Sequence, residues 1–105
     1  MRESKLRELR EKIDELDDAI AELVLERALL SEAVGKEKQL LSHCRDASLS
    51  LERDLDREQK ILNRVAQKFA IALPNYANAE RLDSMRQVFS QLIVFCFSFQ
   101  SRAKG

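Results

Sequence analysis

Apolar residues recur along the first third of the chain at alternating steps of three and four residues. This spacing is typical of a helix that packs along another helix. The stretch contains no proline and a single glycine, so nothing in it interrupts a helix, and we predict one very long helix over about residues 5–41. The positions that carry the spacing are Leu6, Leu9, Ile13, Leu16, Ile20, Leu23, Leu30, Val34 and Leu41.

The same periodicity predicts two further helices. The second covers about residues 50–72, with Ser48 or Ser50 as its cap, and ends before Pro74 because proline cannot continue a helix. The third covers about residues 78–101. Their apolar faces comprise Leu51, Leu55, Leu62, Val65 and Phe69, and then Leu82, Met85, Phe89, Leu92, Cys96 and Phe99. With two glycines and one proline in 105 residues, the sequence predicts one all-α domain over residues 1–105.

The length of the first helix implies a second copy of the chain. From Leu6 to Leu41 it runs roughly 54 Å, whereas a compact chain of this size has a radius of gyration of about 13 Å. One chain cannot cover so long an apolar stripe. We therefore expect a homodimer in which two such helices pack along each other.

Composition narrows the possible functions. Eighteen basic and eighteen acidic residues give a net charge of zero, so the basic surplus typical of nucleic-acid binding is missing. The apolar run Leu92–Phe99 is too short to span a bilayer. Cys44 and Cys96 show neither metal nor disulfide spacing, which indicates a reducing, cytoplasmic location and no metal site.

Four polar side chains fall on or beside the apolar faces, where a charge is costly unless it has a partner or a function. Arg27 and Lys38 lie eleven residues apart on the first helix, which returns them to nearly the same face. Glu58 interrupts the second face and Gln100 adjoins the third. Salt bridges or extended side chains explain any one of them, but the set favours a pocket for a small polyanion.

The sequence contains no credible pair of nucleophile and base. Its one histidine, His43, falls in a polar stretch between helices, and no serine or cysteine has a base at helical spacing. An enzyme built from these residues would act by positioning its substrate and by electrostatic stabilisation.

Several segments together carry a family resemblance. They are Leu9–Asp17 (LREKIDELD), Glu26–Arg27, Val34–Lys38 (VGKEK), Asp54–Glu58 (DLDRE) and Phe89-x-x-Leu92-Ile93, with Gln100 eleven residues after Phe89. The combination resembles the all-helical class of chorismate mutases, which includes the mutase domains of bifunctional chorismate mutase/prephenate dehydratase proteins. The resemblance implies three helices per chain in an intertwined homodimer. It also implies conversion of chorismate to prephenate, a step in aromatic amino-acid biosynthesis that needs no cofactor.

The resemblance also implies roles for individual residues. Arg27 would hold one substrate carboxylate, and Arg10 would reach the other in the partner's site. Arg10 lies seventeen residues before Arg27, about 100° away around the helix axis, so the two face differently. Lys38 and Gln100 would donate to the ether oxygen of chorismate. The remaining contacts would come from Glu58 and Asp54 at the ring hydroxyl, Arg57 near a carboxylate, and Cys96 at a position where the family usually has serine.

Two alternatives remain at this stage. On the same fold, the chain could act as an isochorismate–pyruvate lyase or as a mutase for an amino analogue of chorismate. It could instead be a helical dimerisation module without catalysis. That second alternative explains the apolar stripes but leaves the charges at Arg27, Lys38 and Glu58 without a role.

Overall fold

The structure is a computed structural model that describes residues 2–44 and 53–102, with side chains for residues 2–41 and 53–100. These residues form three helices and no strand: α1 (Arg2–Cys44), α2 (Leu55–Ala72) and α3 (Ala79–Arg102). The all-α prediction with a very long first helix is therefore confirmed. α1 has 43 residues, and the longest dimension of the chain is 66 Å.

The start of α2 differs from the prediction. We expected the helix to begin at about Ser50, but it begins at Leu55, with Asp54 as its cap. The Asp54 Oδ1 atom accepts the backbone N–H of Arg57 at 3.0 Å, so the carboxylate satisfies a donor that the first helical turn leaves unpaired. Residues 45–52, which contain the two serines that we considered as caps, lie outside the described part.

The end of α2 and the start of α3 lie within one residue of the positions predicted from the sequence. The backbone N–H of Leu73 donates to the Phe69 carbonyl at 2.9 Å, one residue before Pro74, and so closes α2. The Asn78 Oδ1 atom accepts the backbone N–H of Arg81 at 2.8 Å and caps the start of α3. Local hydrogen bonding therefore defines both boundaries.

α3 packs against both α1 and α2, and within the described ranges no close backbone contact joins α1 to α2 directly. Close approach of α1 and α3 depends on Gly35. A Cβ atom at this position would lie 2.7 Å from the Cα and 2.8 Å from the carbonyl oxygen of Gln100. Because those atoms belong to the backbone, a side chain at residue 35 would force the two helices apart.

The buried core of the described chain is small. It comprises Ala28 of α1, Ile61 and Ala66 of α2, and Ile93 and Cys96 of α3. The apolar stripe from Leu6 to Leu23, in contrast, is between 45 and 62% exposed. α3 covers only the C-terminal part of α1, and the radius of gyration is accordingly 18.3 Å rather than the roughly 13 Å of a compact chain.

No helix among the described residues is both long and apolar enough to cross a membrane.

Candidate active site

A cavity of about 320 Å³ opens where the three helices meet. Each helix supplies apolar wall and polar groups, and the volume is at the lower end of the range for small-molecule sites. The lining residues are Arg27, Leu30, Ser31, Val34 and Lys38 from α1, Asp54, Arg57, Glu58 and Ile61 from the start of α2, and Ile93, Phe97 and Gln100 from α3.

One group of hydrogen bonds in the cavity wall is centred on Gln100. The Lys38 Nζ atom donates to Gln100 Oε1 at 3.0 Å, and Gln100 Nε2 donates to Ser31 Oγ at 3.2 Å. All three side chains are partly buried. Lys38 and Gln100 lie 62 residues apart in sequence, so the packing of α3 on α1 brings these donors together.

Glu58 is held by a residue just before α2. The Arg53 Nε atom donates to Glu58 Oε2 at 2.9 Å, and Arg53 Nη2 donates to the other oxygen, which gives a bidentate pair. This hydrogen bond raises the pKa of Arg53 above its already high ordinary value, so the guanidinium stays protonated. The side chain of Glu58 is only 14% exposed, and the pair fixes its carboxylate at the cavity.

The basic side chains of the cavity lack acidic partners within the described part of the chain, whereas its acidic side chains have partners there. Arg27, Lys38 and Arg57 form no salt bridge with any residue in ranges 2–41 and 53–100. Glu58 is already paired with Arg53, and Asp54 caps α2. The lining therefore presents positive charge that the described protein does not neutralise. Arg27 and Lys38 are partly buried and Arg57 is exposed; cations arranged around one cavity suit a ligand that carries more than one carboxylate.

The structure brings six of the eight predicted site residues to this one cavity. They are Arg27, Lys38, Asp54, Arg57, Glu58 and Gln100. They come from all three helices, which is the arrangement expected if the charges on the apolar faces share one ligand. Their roles toward a ligand remain predictions.

Arg10 does not line this cavity. It lies seventeen residues before Arg27 on α1, about 26 Å away along the helix axis. There it borders a separate surface depression with Leu6, Arg7 and Asp14. Within one chain, Arg10 cannot contact a ligand held between Lys38 and Glu58.

The expected contact between Cys96 and a ligand requires correction. Cys96 is only 1% exposed, and it belongs to the core instead of the cavity wall. The next residue, Phe97, lines the cavity in its place. A shift of one residue turns a helical side chain by about 100°, so the turn that presents Phe97 buries the thiol.

Three polar or aromatic residues at the site were not predicted from the sequence: Ser31, Arg53 and Phe97. Ser31 lies four residues after Arg27 and seven before Lys38, so helical spacing alone places it on the same face. Arg53 gives no comparable signal because its contact with Glu58 depends on how the chain enters α2.

The arrangement can bind and polarise an anionic ligand, but it offers no pair of nucleophile and base. Within the described residues, no group of three His, Cys, Asp or Glu side chains could hold a metal ion. The chemistry that these side chains can support is charge stabilisation by fixed donors in a partly apolar cavity.

Comparison with known families identifies a match over most of the chain. The family model described as chorismate mutase type II matches residues 9–101, which is most of the chain and includes every residue of the cavity. No curated protein and no solved structure matches the chain significantly.

Proposed function

The chain belongs to the chorismate mutase type II family, and we propose that it catalyses the rearrangement of chorismate to prephenate. One observation carries the proposal. Lys38 and Gln100 form a hydrogen-bonded donor pair in the wall of a cavity whose other cations, Arg27 and Arg57, have no acidic partner among the described residues. Chorismate carries two carboxylates and an ether oxygen, so it offers an acceptor to each of these groups.

The cations would first fix the shape of the substrate. Arg27 is half-buried in α1 and presents a planar fork that suits a carboxylate. Arg57, at the start of α2, adds positive charge from another helix that lines the cavity. Holding the enolpyruvyl group over the ring brings the two reacting carbons together in the near-attack geometry that a one-step rearrangement requires.

The donor pair would then stabilise the transition state. As the carbon–oxygen bond of the ether breaks, negative charge grows on that oxygen while a carbon–carbon bond forms elsewhere in the same molecule. Lys38 Nζ has three N–H donors, of which one is used by Gln100 Oε1. Its remaining donors and the Gln100 amide can therefore meet the oxygen at the moment when it carries most charge.

Glu58 would meet the ring hydroxyl of the substrate. Its carboxylate lines the cavity and is held in place by Arg53 at 2.9 Å, and a carboxylate oxygen can accept a further hydrogen bond from a hydroxyl. Asp54 lines the same wall. Because its carboxylate also caps α2, it would support the contact mainly by fixing the start of that helix.

The working form would be a homodimer. The chain has an accessible surface of 8763 Å², whereas a folded monomer of 12.1 kDa is expected to expose about 6,000 Å². The excess of about 2,700 Å² per chain, or about 5,400 Å² for two chains, is at the upper end of the range of total area that obligate dimers bury. It includes the exposed apolar stripe on α1, which two antiparallel copies would cover.

The same dimer would complete the site. If the two-fold axis crosses α1 near Ile20, within the apolar stripe, residues equally distant from Ile20 face each other. The partner's Arg10 then lies opposite Leu30, which is part of the cavity wall. This arrangement would add a further cation for the second carboxylate, although Arg10 is remote from the cavity of its own chain.

The activity assay is direct. Purified protein is mixed with chorismate, the loss of chorismate absorbance is followed, and the product is identified by chromatography and mass spectrometry. We expect prephenate, with a turnover far above the uncatalysed rate. Release of pyruvate from isochorismate, without prephenate formation from chorismate, would instead indicate a lyase on this fold. No reaction with chorismate, isochorismate or the amino analogue would support a dimerisation module.

A further inference from the structure

The Gln100 side chain is held at both ends. Its Oε1 atom accepts from Lys38 at 3.0 Å and its Nε2 atom donates to Ser31 Oγ at 3.2 Å. A lysine ammonium has donors only, so the oxygen of the amide must face Lys38 and its nitrogen must face Ser31. The two contacts thus identify the oxygen and the nitrogen of the Gln100 amide, and they also fix the plane of the amide group.

Helix packing places Ser31 within reach of Gln100. Ser31 and Gly35 lie one turn apart on α1 and so share a face. The absent side chain at Gly35 lets the backbone of Gln100 approach α1, since an added Cβ would come within 2.7 Å of the Gln100 Cα atom. A short residue at position 31 then meets the amide directly.

We propose that Ser31 is a positioning residue that orients the Gln100 amide toward the reacting ether oxygen, an inference that rests on the proposed function. With the hydrogen bond to Lys38 alone, the amide group of Gln100 could still rotate about the axis of that hydrogen bond. The second hydrogen bond, to Ser31, prevents this rotation. It uses one of the two N–H donors of Nε2, and the other has no partner among the described residues, so it is available to a ligand in the cavity.

A ligand-free measurement tests the geometry. In a ¹⁵N–¹H spectrum, the side-chain amide signals of Gln100 are assigned by their loss in Gln100→Ala. We expect Ser31→Ala to shift these signals, because the hydrogen bond to Nε2 is gone. The matched control is Ser98→Ala, which removes a hydroxyl that donates to the Phe95 carbonyl on an exposed part of α3. Gln100 signals that stay the same in Ser31→Ala as in the control would overturn the proposal.

Kinetics test the consequence for catalysis. Ser31→Ala should lower kcat for chorismate about 3- to 10-fold, the range that one neutral hydrogen bond supports, and should leave KM nearly unchanged. Ser31→Thr keeps the hydroxyl and should retain most of the activity. In a Gln100→Ala background the Ser31→Ala change should have no further effect, since the amide that it orients is absent.

The outcomes separate the two proposals. A parent protein that does not convert chorismate refutes the proposed function, while the amide spectrum still decides whether Ser31 orients Gln100. If the parent is active and Gln100→Ala is strongly impaired, equal kcat values for Ser31→Ala and the parent overturn the positioning role. Equal losses from Ser31→Ala in the presence and in the absence of Gln100 would overturn it as well. Circular dichroism checks that each variant remains helical.

Discussion

The two halves of α1 share one apolar spacing but differ in their surroundings. In the N-terminal half, from Leu6 to Leu23, the stripe is apolar at every step and largely exposed in the single chain. In the C-terminal half, cations at Arg27 and Lys38 interrupt the stripe, α3 packs alongside, and the cavity opens between them. α1 therefore carries an exposed apolar surface in its N-terminal half and, in its C-terminal half, cavity cations that no described acidic residue neutralises.

The difference shows how to interpret a polar residue on an apolar stripe. Burial against another apolar surface stabilises an uninterrupted apolar stripe. For the N-terminal half of α1, we propose that this surface is α1 of a second copy of the chain. A stripe that contains cations is not stabilised by such burial, because burying an unpaired charge costs free energy. The interruptions therefore mark the part of α1 where a ligand is expected.

The N-terminal half is tested by a charge placed at the proposed two-fold axis. Ile20→Asp would bring two carboxylates close together in the dimer, and we expect dissociation to monomers with nearly complete loss of chorismate turnover. Analytical ultracentrifugation measures the mass. The matched control is Ala21→Asp, which places the same charge one residue off the stripe, where we expect an active dimer. A variant at Ile20 that stays dimeric and active would refute the role of this stripe.

The C-terminal half is tested by removing its central cation. Lys38→Ala should reduce turnover by about 100- to 1,000-fold, the usual cost of losing a donor to developing negative charge. The thermal midpoint should stay nearly constant or rise, since a partly buried charge is removed. Lys36→Ala is the control, because Lys36 is 63% exposed and pairs with Glu32. A Lys38→Ala protein that unfolds would show that Lys38 has a structural role instead.

The close contact between α1 and α3 is tested at Gly35. In Gly35→Ala the new Cβ would meet backbone atoms of Gln100 at 2.7 and 2.8 Å, so α3 must move and carry Gln100 with it. Displacing a catalytic group by about 1 Å can cost up to about 100-fold in rate, and we expect a loss of about 10- to 100-fold. Ala33→Gly, at an exposed position on α1, controls for backbone effects. Full activity in Gly35→Ala would show that the contact is not needed.

The donor role of Gln100 is tested by its dependence on pH. In Gln100→Glu an ionised carboxylate faces Lys38 and repels the charge that grows on the ether oxygen, whereas a protonated one can donate as the amide does. Lys38 stabilises the ionised form, and the apolar wall favours the protonated form. Arg57 and Glu58 face the same cavity from α2. We expect low activity at neutral pH that increases as pH falls, relative to the parent. Parallel profiles would place Gln100 away from the reacting oxygen.

Much of the fold was predictable because helical periodicity is a local property of the sequence. The spacing predicted all three helices. The break at Pro74 gave the end of α2, and the predicted start of α3 at about residue 78 is one residue before the observed Ala79. The start of α2 was wrong by about five residues. Ser50 and Asp54 are both good caps, and the sequence alone does not show which one accepts the N–H donors of the first turn.

The site was partly predictable for the same reason. Arg27, Lys38, Glu58 and Gln100 stood out because each adjoins an apolar face, and all four line the cavity. Ser31 did not stand out, since a serine on a helix breaks no pattern and its partner lies 69 residues away in sequence. Cys96 was assigned from the family pattern, but the rotation of α3 buries it.

The shared active site is the central claim, and a mixed dimer tests it most directly. Arg10→Ala and Lys38→Ala are prepared separately, and each homodimer should be nearly inactive. They are then unfolded and refolded together. A mixed dimer has one site that lacks both side chains and one site with both intact. Random reassociation makes half of the dimers mixed, so we expect about one quarter of the parent activity to return. If mixed dimers are shown to be present by mass and no activity returns, Arg10 does not serve the partner's site and the account is contradicted.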